Sequence, residues 1–218
     1  APLRNLGLLS RELIRQSLLI AGREELGLTV RDELLGDIPP DREPDLKIDL
    51  DSALEHRSGM PGSPGQVWLW DVGKGGVGTS LMVRSLDGIP TGTPAIAGLA
   101  TMLEALSRRE FADSLRKAGV QDSRPEAVSD APMPEGVEAR LGRMVASESF
   151  AALRALHAEV RSRGESPALL DGLIRAYANL GVLTELQWGA KNKVFKARSL
   201  LYAERLALRF PDAPESVW

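Results

Sequence analysis

The stretch Ser166-Pro167-Ala168-Leu169-Leu170-Asp171-Gly172-Leu173-Ile174-Arg175-Ala176-Tyr177-Ala178-Asn179-Leu180-Gly181 decides the fold class. Serine followed by proline opens a helix, because the serine oxygen accepts an orphan first-turn N–H and proline has none to satisfy. Leu170, Leu173, Ile174 and Tyr177 then step by three and four, the spacing of one helix face. Gly181 predicts the stop. Such a face needs neighbours, and the flanking sequence supplies them. Upstream, Ser147 or Ser149 caps a helix with the face Phe150, Leu153, Leu156 and Val160, closed by Gly164. Before it, Val137, Leu141, Met144 and Val145 begin another. Downstream, residues 194–210 read as a helix with Ala197, Leu201, Ala207 and Leu208 inward. His157 stands beside an apolar face with no histidine or carboxylate at ligand spacing, so it reads as a boundary residue.

Leu170, Leu173, Ala176, Tyr177 and Gly181 resemble the first helix of a tetratricopeptide repeat. Ala207-Leu208-Arg209-Phe210-Pro211-Asp212-Ala213-Pro214 looks like the end of one unit and the start of the next. The punctuation Gly164-Glu165-Ser166-Pro167 recurs as Pro211-Asp212-Ala213-Pro214. From Pro167 to Pro214 is 47 residues, against ~34 in an ordinary repeat. The excess sits at 184–193, an insertion between the paired helices. The resemblance covers about the last fifty residues and implies antiparallel helix pairs. Ala176 to Gly181 together with Lys196 to Ala203 is also similar to large bacterial repeat proteins, which implies no particular activity. Trp218 falls near the start of a further repeat, and Ala1 is no natural start. The expectation is a truncated segment of a longer chain.

Outward to the N-terminus, Leu6, Leu9, Leu13, Ile14, Leu18 and Ala21 mark one face of an amphipathic helix. Arg11, Glu12, Arg15, Arg23 and Glu24 fill its other sides, and Gly27 predicts its end. Nothing at catalytic spacing makes Arg23, Glu24 and Glu25 a polar site. Thr29 and Asp32 form a helix-start box, and Gly36 with Pro39-Pro40 breaks the short helix that follows. Thr93-Pro94 opens a helix through Ile96, Leu99, Leu103 and Leu106. Ser107-Arg108-Arg109-Glu110 reads as a capping box, which predicts a new helix ending at Gly119. Residues 121–137, with three prolines and almost no large apolar side chain, read as a linker. It separates a domain at 1–120 from the repeat-like region at 138–218.

Between the N-terminal helices, Leu46, Ile48 and Leu50 alternate with charged residues, the period of a strand. Asp49 and Asp51 lack the glycine and glutamate of a calcium loop. Residues 59–65 read as a loop. After strand-like Val67-Trp68-Leu69-Trp70-Asp71-Val72 comes Gly73-Lys74-Gly75-Gly76-Val77-Gly78-Thr79-Ser80. This resembles the phosphate-binding loop of partition and septum-site ATPases. The lysine that such a loop places before its Ser/Thr is Thr79 here, so the main source of phosphate charge stabilisation is missing. The short run to Leu86 is no long helix aimed at phosphate, and no strand-helix alternation surrounds it. A hairpin explains the same residues, and with the first strand makes a three-stranded antiparallel β-meander. Trp68 and Trp70 share a face of it. The fold class is therefore mainly α, with a small sheet in the first half (α+β).

Composition narrows the function. With 218 residues, 43% hydrophobic, 26% charged and 5% aromatic, the chain is neither mainly disordered nor a large aromatic-rich sandwich. No cysteine excludes disulfides, thiolate metal sites and a cysteine nucleophile. Two histidines far apart disfavour a histidine metal centre, and neither His56 nor His157 carries a triad motif. No apolar run is long enough to span a bilayer, and the compartment stays open. The net charge of −3 advertises neither nucleic acid nor an anionic membrane, but it conceals an asymmetry. Residues 31–55 hold nine acids against three bases, and residues 188–209 hold six bases against one acid. Trp188, Lys191, Lys193 and Lys196, with Phe195 among them, are the candidate partner-binding residues. The competing reading is a solvated face, or pairing with the acidic N-terminal region. No catalytic, metal or cofactor-binding residue is expected. The expected function is a non-catalytic protein-interaction or scaffolding segment with a protein or peptide partner. Nucleotide binding at 73–80 is the alternative.

Overall fold

The computed structural model describes residues 2–26, 47–50, 65–71, 79–86, 93–117, 128–187, 189 and 191–216. Helix α1, Pro2–Ile20, widens into a π-helical turn at Ala21–Glu25. Leu13, Ile14, Leu18 and Ala21 are buried, as their spacing predicts. Of the stretch between α1 and α2, only the backbone of 47–50, 65–71 and 79–86 is described, and 73–78 lie outside it. Helix α2 is Thr93–Leu106, followed by a second π-helical turn, Ser107–Phe111, and by α3, Ala112–Lys117. The expected break at Ser107 does not occur. Ser107 Oγ donates to the Glu104 carbonyl at 2.9 Å, so the hydroxyl serves the preceding turn instead of capping a new one.

Four helices complete the architecture: α4, Val137–Gly142; α5, Ala146–Arg163; α6, Pro167–Leu183; and α7, Lys191–Arg209. Ser166 caps α6 as predicted, accepting from the Leu169 N–H at 3.2 Å, and it also donates to the Ala131 carbonyl at 2.6 Å. The fold is mainly helical, and α6 is packed between α5 and α7. Gly172 sets the first of these contacts. A Cβ at that position would lie 2.7 Å from Leu156 Cδ2, so an alanine there would force the buried Leu156 side chain to shift.

Several boundaries depart from the sequence pattern. Helix α5 starts at Ala146 after Val145, without a side-chain cap, and Ser149 is buried one turn inside it. Met144 and Val145 do not continue α4; they stand exposed in the turn after it. Ala207 and Leu208 point outward, because Arg205 and Leu206 take the inward positions of that turn. Of the expected linker, 121–127 lie outside the described residues. Beyond them, Val128 bridges to Glu165 in parallel fashion, Ser129 N–H donates to the Glu165 carbonyl at 2.8 Å, and Ala131 is buried. One buried apolar cluster draws on α1, α2 and α4 to α7 together. Among the described residues no helix is long and apolar enough to cross a membrane.

Candidate functional site

At the centre of the molecule is Arg205, fully buried on the inward face of α7. Its Nε donates to Glu165 at 2.5 Å and its Nη1 to Glu104 at 2.9 Å. Nη2 forms an ion pair with Glu25 at 2.6 Å. The three carboxylates come from three places: the π turn after α1, helix α2 and the α5–α6 connection. Arg209 closes on the second oxygen of Glu165, and Arg108 approaches Glu104 at 3.9 Å. Three guanidiniums thus face three carboxylates, which is what makes such burial tolerable. Burial disfavours the Arg205 cation, but the surrounding glutamates outweigh it and hold its pKa well above the ordinary arginine value. Glu104 is pushed up, first by burial and further by Glu165, against the opposing pull of Arg205. Both π turns border this hub, one carrying Glu24 and Glu25 and the other following Glu104. A π turn inserts an extra residue and re-aims side chains, which is why it recurs where geometry is specialised.

A second polar chain runs beside it. Arg198 donates through Nε to Gln16 at 2.5 Å and through Nη1 to Tyr177 Oη at 2.8 Å. Arginine only donates, so the phenol oxygen accepts there. His157 Nε2 lies 2.8 Å from the same oxygen, and Nδ1 lies 3.7 Å from Glu24. This order assigns the phenol hydrogen to Nε2 and the imidazole hydrogen to the Nδ1 that faces the carboxylate. Tyr202 Oη donates to Glu24 at 3.3 Å, and the Tyr177 and Tyr202 rings stack with centroids 5.7 Å apart and planes inclined by 6°. His157 is therefore no boundary residue. Its carboxylate comes from the far end of the chain, where spacing along the sequence cannot reveal it. The same holds for Glu24 and Glu25, whose polar partners lie on α5 and α7.

Of the sequence-predicted contact residues, Lys191, Lys193 and Lys196 lie on the first two turns of α7. Trp188 lies outside the described residues. Lys191 is exposed, and Lys193 and Lys196 are half-buried. Lys196 pairs with Glu185 at 3.0 Å and holds that carboxyl below the usual range, with Lys193 adding to the effect. Phe195 does not belong to this surface; it is buried against Phe150 and Tyr177. The basic excess of 188–209 also divides: Arg198, Arg205 and Arg209 point inward to Gln16, Glu25, Glu104 and Glu165, leaving the lysines outside. Among the described residues no group of three or more histidine or acidic side chains is arranged to hold a metal ion. Comparison with protein-family models, curated proteins and solved structures gave no match.

Proposed function

We propose that the chain is a non-catalytic protein-interaction or scaffolding segment of a larger bacterial protein, built on helix pairs of tetratricopeptide-repeat type. The observation that carries this reading is the Arg205 hub. It joins elements from both ends of the chain into one frame and engages in ion pairs the buried acids that chemistry would draw on. A frame of this kind keeps helix faces at fixed spacing, which is what an extended partner reads. Ala207 and Leu208, uncovered on the last turns of α7, are the edge on which a protein segment stacks. Lys191, Lys193 and Lys196, on the first turns of that helix, are contact residues, together with Trp188 just before them in sequence.

The β-meander belongs to the same reading. Its support is the backbone register of Lys47–Leu50, Gly65–Asp71 and Thr79–Leu86. Lys47 to Leu50 run antiparallel to Trp70 to Val67, and Asp71 stands opposite Thr79. Extended backbone from Thr79 also favours a turn over a phosphate loop at 73–78, since a phosphate loop opens a helix at its Ser/Thr.

A photoreactive benzophenone amino acid in place of Leu208 tests the proposal. A discrete protein adduct is expected, competed away by unlabelled chain and missing when the probe replaces exposed Arg161 on α5. Lack of any competed adduct, or micromolar ATP-analogue binding lost in Lys74→Ala, would overturn it.

A further inference from the structure

Two turns share one end of the helix bundle. Asn179 Nδ2 donates to the Leu141 carbonyl at 3.0 Å, which sets the end of α4 beside the last turn of α6. Phe150 and Phe195, each about one turn into its helix, meet edge to face with centroids 5.8 Å apart. The turn at 143–145 and the turn at 184–187 therefore lie at the same end. Together with the last turn of α6 they present large apolar side chains: Leu186 is 98% exposed, Val182 58%, Val145 46% and Met144 43%. Met144 also holds a left-handed backbone, φ 51°, that glycine would adopt at less cost. Backbone strain retained at an exposed methionine points to a use for that side chain outside the fold. Around these residues stand Arg140, Arg143, Lys191, Lys193 and Lys196. The carboxylates among them, Glu148 and Glu185, are paired with Arg143 and Lys196 at 3.0 Å each.

We infer that this end of the bundle docks on an anionic bilayer surface. Leu186, Val182, Val145 and Met144 enter the boundary between headgroups and acyl chains, and the surrounding cations meet lipid phosphates. Protruding apolar side chains beside an excess of cations over carboxylates fit an anionic bilayer, whose acyl boundary would take the first and whose phosphates the second. The overall charge of −3 does not oppose this, because charges beyond roughly 8 Å are screened at physiological salt and the local balance decides. Trp188, two residues after Leu186 in sequence, is of the type enriched at membrane interfaces. The inference goes beyond the reading above: it gives Lys191, Lys193 and Lys196 a lipid surface in place of a protein partner, and leaves the protein contact at Leu208 as it stands.

Sedimentation of the full chain with vesicles of about one-third phosphatidylglycerol in phosphatidylcholine tests it. Partition into these vesicles is expected, weakening as salt rises and nearly abolished on pure phosphatidylcholine. Leu186→Asp should lower partition by about tenfold or more, the worth of burying one leucine. Met102→Asp, on an exposed position of α2, should not. Met144→Gly relieves the left-handed strain, so it should fold at least as stably as the parent while binding vesicles several-fold more weakly. Unchanged partition in Leu186→Asp, equal binding to both lipid mixtures, or no binding to either would overturn the proposal. So would a photoprobe at 186 that captures protein and not lipid. The adduct at position 208 is read separately, so failure at the membrane leaves the scaffold reading testable on its own terms.

Discussion

Glu104 is a residue whose ionisation the fold opposes. Burial raises its pKa above the usual 4.5, with Glu165 adding to the shift and Arg205 opposing it. The folded chain therefore keeps this proton to higher pH than the unfolded chain does. Stability from the group is fully present below pH 4.5 and lost as pH rises through the folded-state value. Glu104→Gln removes that dependence. Urea midpoints followed from pH 4.5 toward neutrality should fall less steeply for the variant than for the parent; parallel profiles would exclude Glu104 as the group responsible. Tyr177 offers a second test. Its hydroxyl serves both His157 and Arg198, so Tyr177→Phe deprives two buried groups of a partner. A loss of about 1–3 kcal/mol is expected at unchanged denaturant slope.

Helix α6 was legible because its signals are local: a Ser-Pro start and an apolar face at helical spacing. Helix α4 was read past its end, because Met144 and Val145 look like core yet belong to a turn. Ala207 and Leu208 misled for a related reason. A periodic apolar pattern does not reveal that an arginine, Arg205, takes the most buried position beside them. Among glycines, the sequence alone does not separate Gly98 from Gly172, though their surroundings differ completely. A Cβ at Gly98 meets nothing within 4 Å, while one at Gly172 collides with Leu156. Gly98→Ala should stabilise the protein by about 0.5–1 kcal/mol through helix propensity. Gly172→Ala should instead destabilise it by about 1–2 kcal/mol, overpacking outweighing the same propensity gain. Thermal melts of the two variants, moving in opposite directions, would check the contrast.

Taken together, the helices depend on one another across the chain. The acidic partners of Arg205 come from the π turn after α1, from α2 and from the α5–α6 connection, and no motif spacing connects such distant positions. That is why the hub escaped the sequence while the helices did not. A chain begun at residue 128 keeps Glu165 but loses Glu25 and Glu104, and with them the cover over Leu206 and Arg198 from α1 and α2. Such a fragment should lack a cooperative urea transition; a sharp transition near that of the full chain would show that residues 1–127 are dispensable for folding. The stacked rings of Tyr177 and Tyr202 carry a last consequence. They are the only tyrosines present, and they lie on α6 and α7 with nearly parallel planes. Chromophores so placed couple their excited states, so the tyrosine resonance Raman bands report on this one helix contact, whereas near-ultraviolet circular dichroism also carries the four tryptophans. Any ligand or surface that loosens α7 from α6 will be visible in that light without a label.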